Sequence, residues 1–356
     1  MAMGLAIRRI AFAIGLSAAF VADAPAAPAF TPAEQTAIAL LEQPRFQPPQ
    51  GWVWGKFRNA DGANLRYGHT ALSATAHGSI IIVPGYRSPA EEFFETIRVF
   101  EARGFNVWIL DRRGQGGSDR WLAPSQKAYS EGFDHDENDL VQFATHVVTH
   151  PKTQPLFFVA ESLGGHLTLR VLHDHPGIVR AEAISSPAIV PHTGKHQGDS
   201  PTWFMRAVAR AAVMFGFGES YALGQHDWRF NPKAGGPDDP AKDDPVRARA
   251  NEAWFLKDPG LREGGATWRL VVETFRSSDL ETSPGWMSAI GTPVLMGVAP
   301  EDQLSVAGQE IAACHAMKHC TLLVYPHARH ALFNDSDATR TPFLHAVEDF
   351  LLKQLH

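Results

Sequence analysis

The chain has 356 residues, of which 44% are hydrophobic and 20% charged, and a formal net charge of -6 at pH 7. That is enough apolar material for a sizeable core, in one large domain or a domain with an insertion, and it excludes general disorder. The negative balance gives no support to nucleic-acid binding, and Cys314 and Cys320 match neither zinc-ligand nor redox spacing.

Residues 1–26 read as a signal peptide. Arg8 and Arg9 precede an apolar run over 10–21, and the small residues Ala22-Asp23-Ala24-Pro25-Ala26-Ala27 follow. A positive start, an apolar stretch and an A-x-A-like cleavage site predict export, to the periplasm or beyond. The run is too short to span a membrane comfortably as a mature helix. An uncleaved membrane anchor is the other reading. In an oxidising compartment Cys314 and Cys320 suit a short-loop disulfide from a helix end to the next strand, the alternative being two separate buried thiols.

Residues 27–50 are Pro-rich and polar and read as a surface arm. Segments 52–58 and 64–72 flank Asp61-Gly62 as an antiparallel hairpin. Residues 79–83 form a β-branched strand of the kind buried in a sheet centre. It ends at Pro84-Gly85-Tyr86-Arg87-Ser88-Pro89, which cannot be helical. A helix over 91–103 closes at Gly104. The strand 106–110 then runs into the Gly-rich loop 111–118. A helix is predicted over 133–150, a strand over 156–160, a helix over 165–173 and a strand over 179–185. After a long interruption come strands 293–298 and 321–325 with a helix between them, then a last helix over 342–355. Alternating strands and helices predict a mostly parallel α/β sheet flanked by helices, with 51–188 and 289–356 as its core. The interruption, 189–288, reads as a mainly helical cap. Its Trp203, Trp228, Trp254, Trp268 and Trp286 either line an apolar cleft or form the cap's own small core.

The chemistry gathers after strands, where such sheets bind ligands. Ala160-Glu161-Ser162-Leu163-Gly164-Gly165 joins a strand to a helix in the manner of a G-x-S-x-G nucleophile turn, with Ala160 for the first Gly. The plain alternative is an ordinary serine in a Gly-rich turn. Ser162 needs a base. His330 follows the last strand at a workable distance, whereas its rival His327 sits close to the strand end. Asp302, after strand 293–298, is the candidate carboxylate to orient the imidazole. Glu301 is its neighbour, and a solvated acidic turn is the other reading for both. The order Ser162, Asp302, His330 is that of α/β-hydrolases. The backbone N–H of Leu163 and that of Tyr86 are the candidate oxyanion donors.

These residues carry a resemblance. Val83-Pro84-Gly85, the loop 111–119, Ala160 to Gly165, Ala299-Pro300-Glu301-Asp302 and Ala328-Arg329-His330 look like the α/β-hydrolase family, in its monoglyceride-lipase and bacterial lysophospholipase branch, sometimes grouped with serine aminopeptidases. The resemblance implies an α/β-hydrolase fold with an inserted cap. It also implies a serine carboxylic-ester hydrolase that forms an acyl-enzyme on single-acyl-chain lipids, without cofactor or metal. An exported aminopeptidase and a non-catalytic binding protein are the alternatives. The expected partner is a small acyl ester or lipid, with peripheral membrane contact through the cap and no nucleic acid. Three departures stand out. Pro84 replaces the family's usual His, Ala160 the first turn Gly, and Glu161 the common His before the nucleophile. The last bears on local charge and pH dependence.

Other motifs are weaker. Asp134-His135-Asp136-Glu137-Asn138-Asp139 resembles the start of a calcium loop but lacks its turn Gly and closing Glu. An acidic first helical turn explains it better. The acidic stretch 238–244 reads as a solvated face, and Gly114-Gln115-Gly116-Gly117 lacks dinucleotide spacing.

Overall fold

A computed structural model describes residues 29–355 apart from 124, 150, 152, 193–201 and 242–243. The expected signal peptide, residues 1–26, lies outside the described residues.

Eight strands form one sheet: β1 (Val53–Arg58), β2 (Asn64–His69), β3 (Ser79–Val83), β4 (Asn106–Leu110), β5 (Leu156–Glu161), β6 (Ala181–Ser185), β7 (Val294–Val298) and β8 (Cys320–Val324). Their order is β1-β2-β4-β3-β5-β6-β7-β8. The hairpin β1–β2 and the β2–β4 pair are antiparallel, and every other pair is parallel. The strands β3 to β7 are buried throughout, which is why most of them read as apolar runs and not as alternation, although β6 buries Glu182 at its middle.

Alternation reappears in which face each side chain serves. Ile81, Val83, Phe158 and Ala160 join the core beneath α3 (Phe133–Gln142) and α4 (Leu163–Asp174). Ile80, Ile82, Phe157 and Val159 join the core beneath α2 (Phe94–Ala102) and α10 (Asp337–Lys353). This is the mostly parallel, helix-flanked sheet expected from the sequence. The chain reverses direction across the sheet between β3 and β5, and the loops after those two strands face each other there.

Several boundaries differ from expectation. The arm 27–50 carries a helix, α1 (Pro32–Leu40), started by a capping box between Thr31 and Glu34. Ala37, Leu41 and Phe46 bury themselves against Trp228, Ala253 and Phe255 of the cap. Helix α3 stops at Gln142 and continues as a π-turn over Phe143–Val147. Helix α10 begins at Asp337, so Pro342 lies inside it. The missing N–H costs one helical bond, and the buried row Phe343, Leu344, Val347 and Leu351 holds the helix on the sheet.

The segment between β6 and β7 holds α5 (Thr202–Met214), α6 (Pro245–Lys257), α7 (Trp268–Glu281) and α8 (Trp286–Ala289). Its tryptophans are packing groups. Trp228 sits in the α1–α6 core, Trp268 packs with Ala209 and Ala222, and Trp286 belongs to the main core, stacked on His173 at 4.4 Å. Trp203 instead is 71% exposed.

Candidate active site

The turn after β5 is held in a backbone shape that side chains rarely adopt. Ser162 has φ 55° and ψ -120°, which costs on the order of 1–3 kcal/mol and persists only where its surroundings fix it. They do so here with backbone hydrogen bonds. The Ser162 N–H donates to Ser185 O at 2.9 Å, and the Ser162 carbonyl accepts from His166 and Ala188, each at 3.0 Å. Space at the turn is tight. A Cβ on Gly164 would lie 2.1 Å from the Val83 carbonyl oxygen, and one on Gly165 would lie 2.4 Å from Ile184 Cγ2. These two glycines let α4 start directly against the ends of β3 and β6.

The loop after β3 runs past the serine. A Cβ on Gly85 would come 3.0 Å from Ser162 Cβ. Gln115, in the Gly-rich loop after β4, fixes this loop by donating to the Gly85 and Ser88 carbonyls at 2.9 and 2.8 Å. The Tyr86 hydroxyl donates to the cap at Gly264 O, 2.8 Å away. Neither the Tyr86 nor the Leu163 backbone N–H donates to an acceptor among the described residues. Leu163 opens α4, so its N–H has no helical acceptor and the positive end of the helix dipole lies there.

His330 and Asp302 meet. His330 Nδ1 is 2.6 Å from Asp302 Oδ2, with both side chains buried. Asp302 Oδ1 accepts from the backbone N–H groups of Leu304 and Ser305 at 2.7 and 3.1 Å. An ionised Asp302 accepts the hydrogen bond of Nδ1–H and so holds the proton on that nitrogen, which leaves Nε2 as the basic nitrogen of the neutral ring. Burial works to lower the His330 pKa. The charge and hydrogen bond of Asp302 outweigh it, with Glu161 adding, and the pKa is raised above the usual 6.5. The rivals lie apart: the His327 side chain is 94% exposed and its Nδ1 is 3.8 Å from Glu301.

Ser162, His330, Leu163 and Tyr86 all line one cavity of about 890 Å³. The cap covers it. Helices α5 and α7 contribute apolar lining through Met205, Leu270, Val271 and Phe275, and among the described residues no tryptophan takes part. Polar lining comes from Glu92, Asn231, Asp239, Asn251 and Glu252, and from Glu161 next to the serine. The cap loop over 236–239 also holds the His330 loop, since Arg329 donates to the Gly236 and Pro237 carbonyls at 2.9 and 3.0 Å.

The remaining sequence candidates serve structure. Asp136 pairs with Arg112 at 3.2 Å, Asp139 with Arg113 at 2.7 Å and Glu137 with Arg170 at 3.0 Å. Asp244 caps α6 by accepting from Val246 and Arg247. Cys314 and Cys320 are joined as a disulfide between α9 (Ala307–Ala316) and β8. Sequence reasoning gave Gln115, Arg329 and the Tyr86 hydroxyl no individual role. Each acts through a contact more than 25 residues away in the chain, which no local spacing encodes.

Comparison with known proteins agrees with this fold. The family model described as serine aminopeptidase, S33, matches residues 74–337. Lysophospholipase L2 of Escherichia coli strain K12 is 27% identical over 306 residues, covering 83% of this chain and 86% of its own. Monoacylglycerol lipase of Mycolicibacterium smegmatis is 25% identical over 285 residues, covering 79% of this chain and 91% of its own. Among solved structures, a soluble variant of the Saccharomyces cerevisiae monoglyceride lipase, in complex with a substrate analogue, superposes with a TM-score of 0.66 at 17% identity. It spans 86% of this chain and 96% of the yeast one. Paleococcus ferrophilus monoacylglycerol lipase gives 0.60 at 18% identity, over 85% and 99%.

Proposed function

The chain belongs to the serine aminopeptidase S33 family of α/β-hydrolases, and from that premise we propose that it is a serine ester hydrolase acting on single-acyl-chain lipids through an acyl-enzyme. The observation that carries this reading is the shared cavity, which is lined by Ser162 and His330 together with apolar side chains of α5 and α7. Ser162 Oγ attacks the ester carbonyl as His330 Nε2 takes its proton, and Asp302 stabilises the imidazolium. The N–H groups of Tyr86 and Leu163 receive the oxyanion. The alcohol leaves with the proton from His330, and water repeats the sequence on the acyl-serine. The named activities of the lysophospholipase and monoacylglycerol lipase relatives support the substrate class.

A peptidase is the second reading, favoured by Glu92, Glu161, Asp239 and Glu252 around the cavity, which suit a substrate amine. A fluorophosphonate serine probe and paired substrates separate the possibilities. The wild type is expected to react with the probe and Ser162→Ala to escape it, so equal labelling of both would remove Ser162 from its role. Turnover of lysophospholipid or monoglyceride well above that of aminoacyl anilides supports the lipid reading, and the reverse order supports the peptidase. Inertness towards all of them, in folded protein, would leave a binding role.

The reading extends to location. Arg8 and Arg9 with the following apolar run support export, and a disulfide suits an oxidising compartment. Among the described residues no helix is long and apolar enough to cross a membrane. N-terminal sequencing of protein recovered from cell fractions distinguishes a cleaved signal from a retained anchor.

A further inference from the structure

Behind the Asp302–His330 pair stands a second carboxyl. Glu310, in the first turn of α9, is fully buried. Its Oε1 lies 2.5 Å from Ser305 Oγ, and that same Oγ lies 3.1 Å from the Pro187 carbonyl oxygen. Ser305 also bridges to Pro191 in a short antiparallel pairing and gives its backbone N–H to Asp302 Oδ1. Ser305 thus links Glu310 to the turn that holds Asp302 and to the segment following β6.

Proton counting decides the state of this group. A serine hydroxyl has one proton to donate, and Ser305 faces two oxygens. Both contacts are satisfied together only when Glu310 carries a proton: its O–H donates to Ser305 Oγ, and Ser305 donates to Pro187. The other oxygen, Glu310 Oε2, is buried with no hydrogen-bond partner among the described residues. A carboxylate left in that position would be poorly compensated. Burial acts in the same direction and, with the Asp302 charge, outweighs the Ser305 hydrogen bond and His330. It raises the carboxyl to about 8.

We propose that Glu310 is a positioning residue, acting as a neutral proton-donating acid that holds the 302–305 turn, and Asp302 with it, through Ser305. The idea rests on the hydrolase reading for its kinetic consequence. When Glu310 ionises, its proton passes to solvent and both its oxygens become acceptors. The Ser305 hydroxyl then turns from Pro187 to the carboxylate, and a second negative charge stands beside Asp302. The charged groups acting on Glu310 are Asp302, from the loop after β7, and His330, from the loop after β8. Glu161, at the end of β5, acts on His330 in turn.

The test compares the wild type with Glu310→Gln and Glu310→Ala across pH 6 to 10, by kcat and KM on a soluble short-chain ester and by thermal melting. Gln copies the shape and donor of the neutral acid and does not titrate. The wild-type kcat is expected to fall as pH passes about 8. Glu310→Gln should keep the pH 7 rate and lack that fall. Glu310→Ala should lose about a hundredfold in kcat at every pH with little change in KM, the scale of a misplaced catalytic group. Melting supplies a readout that needs no substrate. A folded-state pKa raised from 4.5 to about 8 means stability is lost as pH rises through that window. The advantage of Glu310→Gln over wild type should therefore widen across it. An unchanged alkaline fall in Glu310→Gln, or a folded Glu310→Gln inactive at pH 7, or a melting difference flat with pH, overturns the proposal. If the wild type hydrolyses no ester, the hydrolase reading fails and the melting series still decides the state of Glu310.

Discussion

Glu161 is the residue at which this chain departs most from the family pattern in charge. It is buried beside Ser162, and its negative charge helps raise the pKa of His330. A base must be unprotonated to accept the serine proton, so a raised pKa moves the acid limb of kcat/KM to higher pH. Glu161→Gln removes that charge. The limb is expected to shift to lower pH, so the variant keeps a larger share of its plateau rate at pH 6 than the wild type does. A full pH profile of kcat/KM on one soluble ester checks it, and a limb that stays in place would show that Glu161 does not act on His330. At this scale the sequence was most informative. Ser162, Asp302 and His330 each follow a strand, and strand ends are what apolar runs mark best. Glu310 was not legible. It sits in an ordinary amphipathic helix, and its role arises from a turn and a hydroxyl brought to it by folding.

Among the elements, α4 depends on the absence of side chains where it meets the sheet. A Cβ at Gly164 would press 2.1 Å from the Val83 carbonyl oxygen and 2.6 Å from that of Pro84, and backbone cannot swing aside as a side chain can. Gly164→Ala is expected to destabilise the protein by about 1–3 kcal/mol, the usual cost of overpacking. It should also lower kcat more than it raises KM, because the atoms displaced lead into the loop bearing Tyr86. Denaturant melts and steady-state kinetics measure the two effects, and a variant with wild-type stability and rate would refute this account of the glycine. Strand positions were legible because buried parallel strands are continuous apolar runs. Helix ends were less so. Pro342 reads as a start, yet tertiary burial of Phe343, Val347 and Leu351 carries α10 through it. The helix α1 was hidden in a Pro-rich stretch whose apolar residues make sense only against the cap.

At the level of the whole molecule, the cap divides into a fastened part and a loosely packed one. Helix α5 buries only Ala209 among its described residues, while Trp203, Phe204, Met214, Phe215 and Phe217 stand exposed on it and just beyond it. Met205 of the same helix and the 75% exposed Leu223 line the cavity, so this apolar surface continues into the site. We propose that such a patch on an otherwise acidic protein meets a lipid surface of low charge. The double variant Trp203→Asp with Phe215→Asp is expected to lose binding to phosphatidylcholine vesicles while hydrolysing a short soluble ester at close to the wild-type rate. Co-sedimentation and ester turnover test this, and undiminished vesicle binding would exclude α5 as the contact.

Helix α7 is secured to the body of the protein by buried polar groups. His166 Nε2 meets Ser277 Oγ at 2.7 Å and its Nδ1 meets Glu281 at 2.9 Å, while Arg170 reaches Ser277 at 2.9 Å. His166 lies one turn beyond Ser162 on α4, so the cavity-lining helix α7 is tied to the helix that begins at the candidate nucleophile. Moving α7 away from α4 would break these buried contacts together and exchange them for water, at a net cost of about 0.5–1.5 kcal/mol for each hydrogen bond. Of the two helices that bring apolar side chains to the cavity, α7 is therefore the one whose movement would reach the serine's own helix, while α5 buries only Ala209 among its described residues.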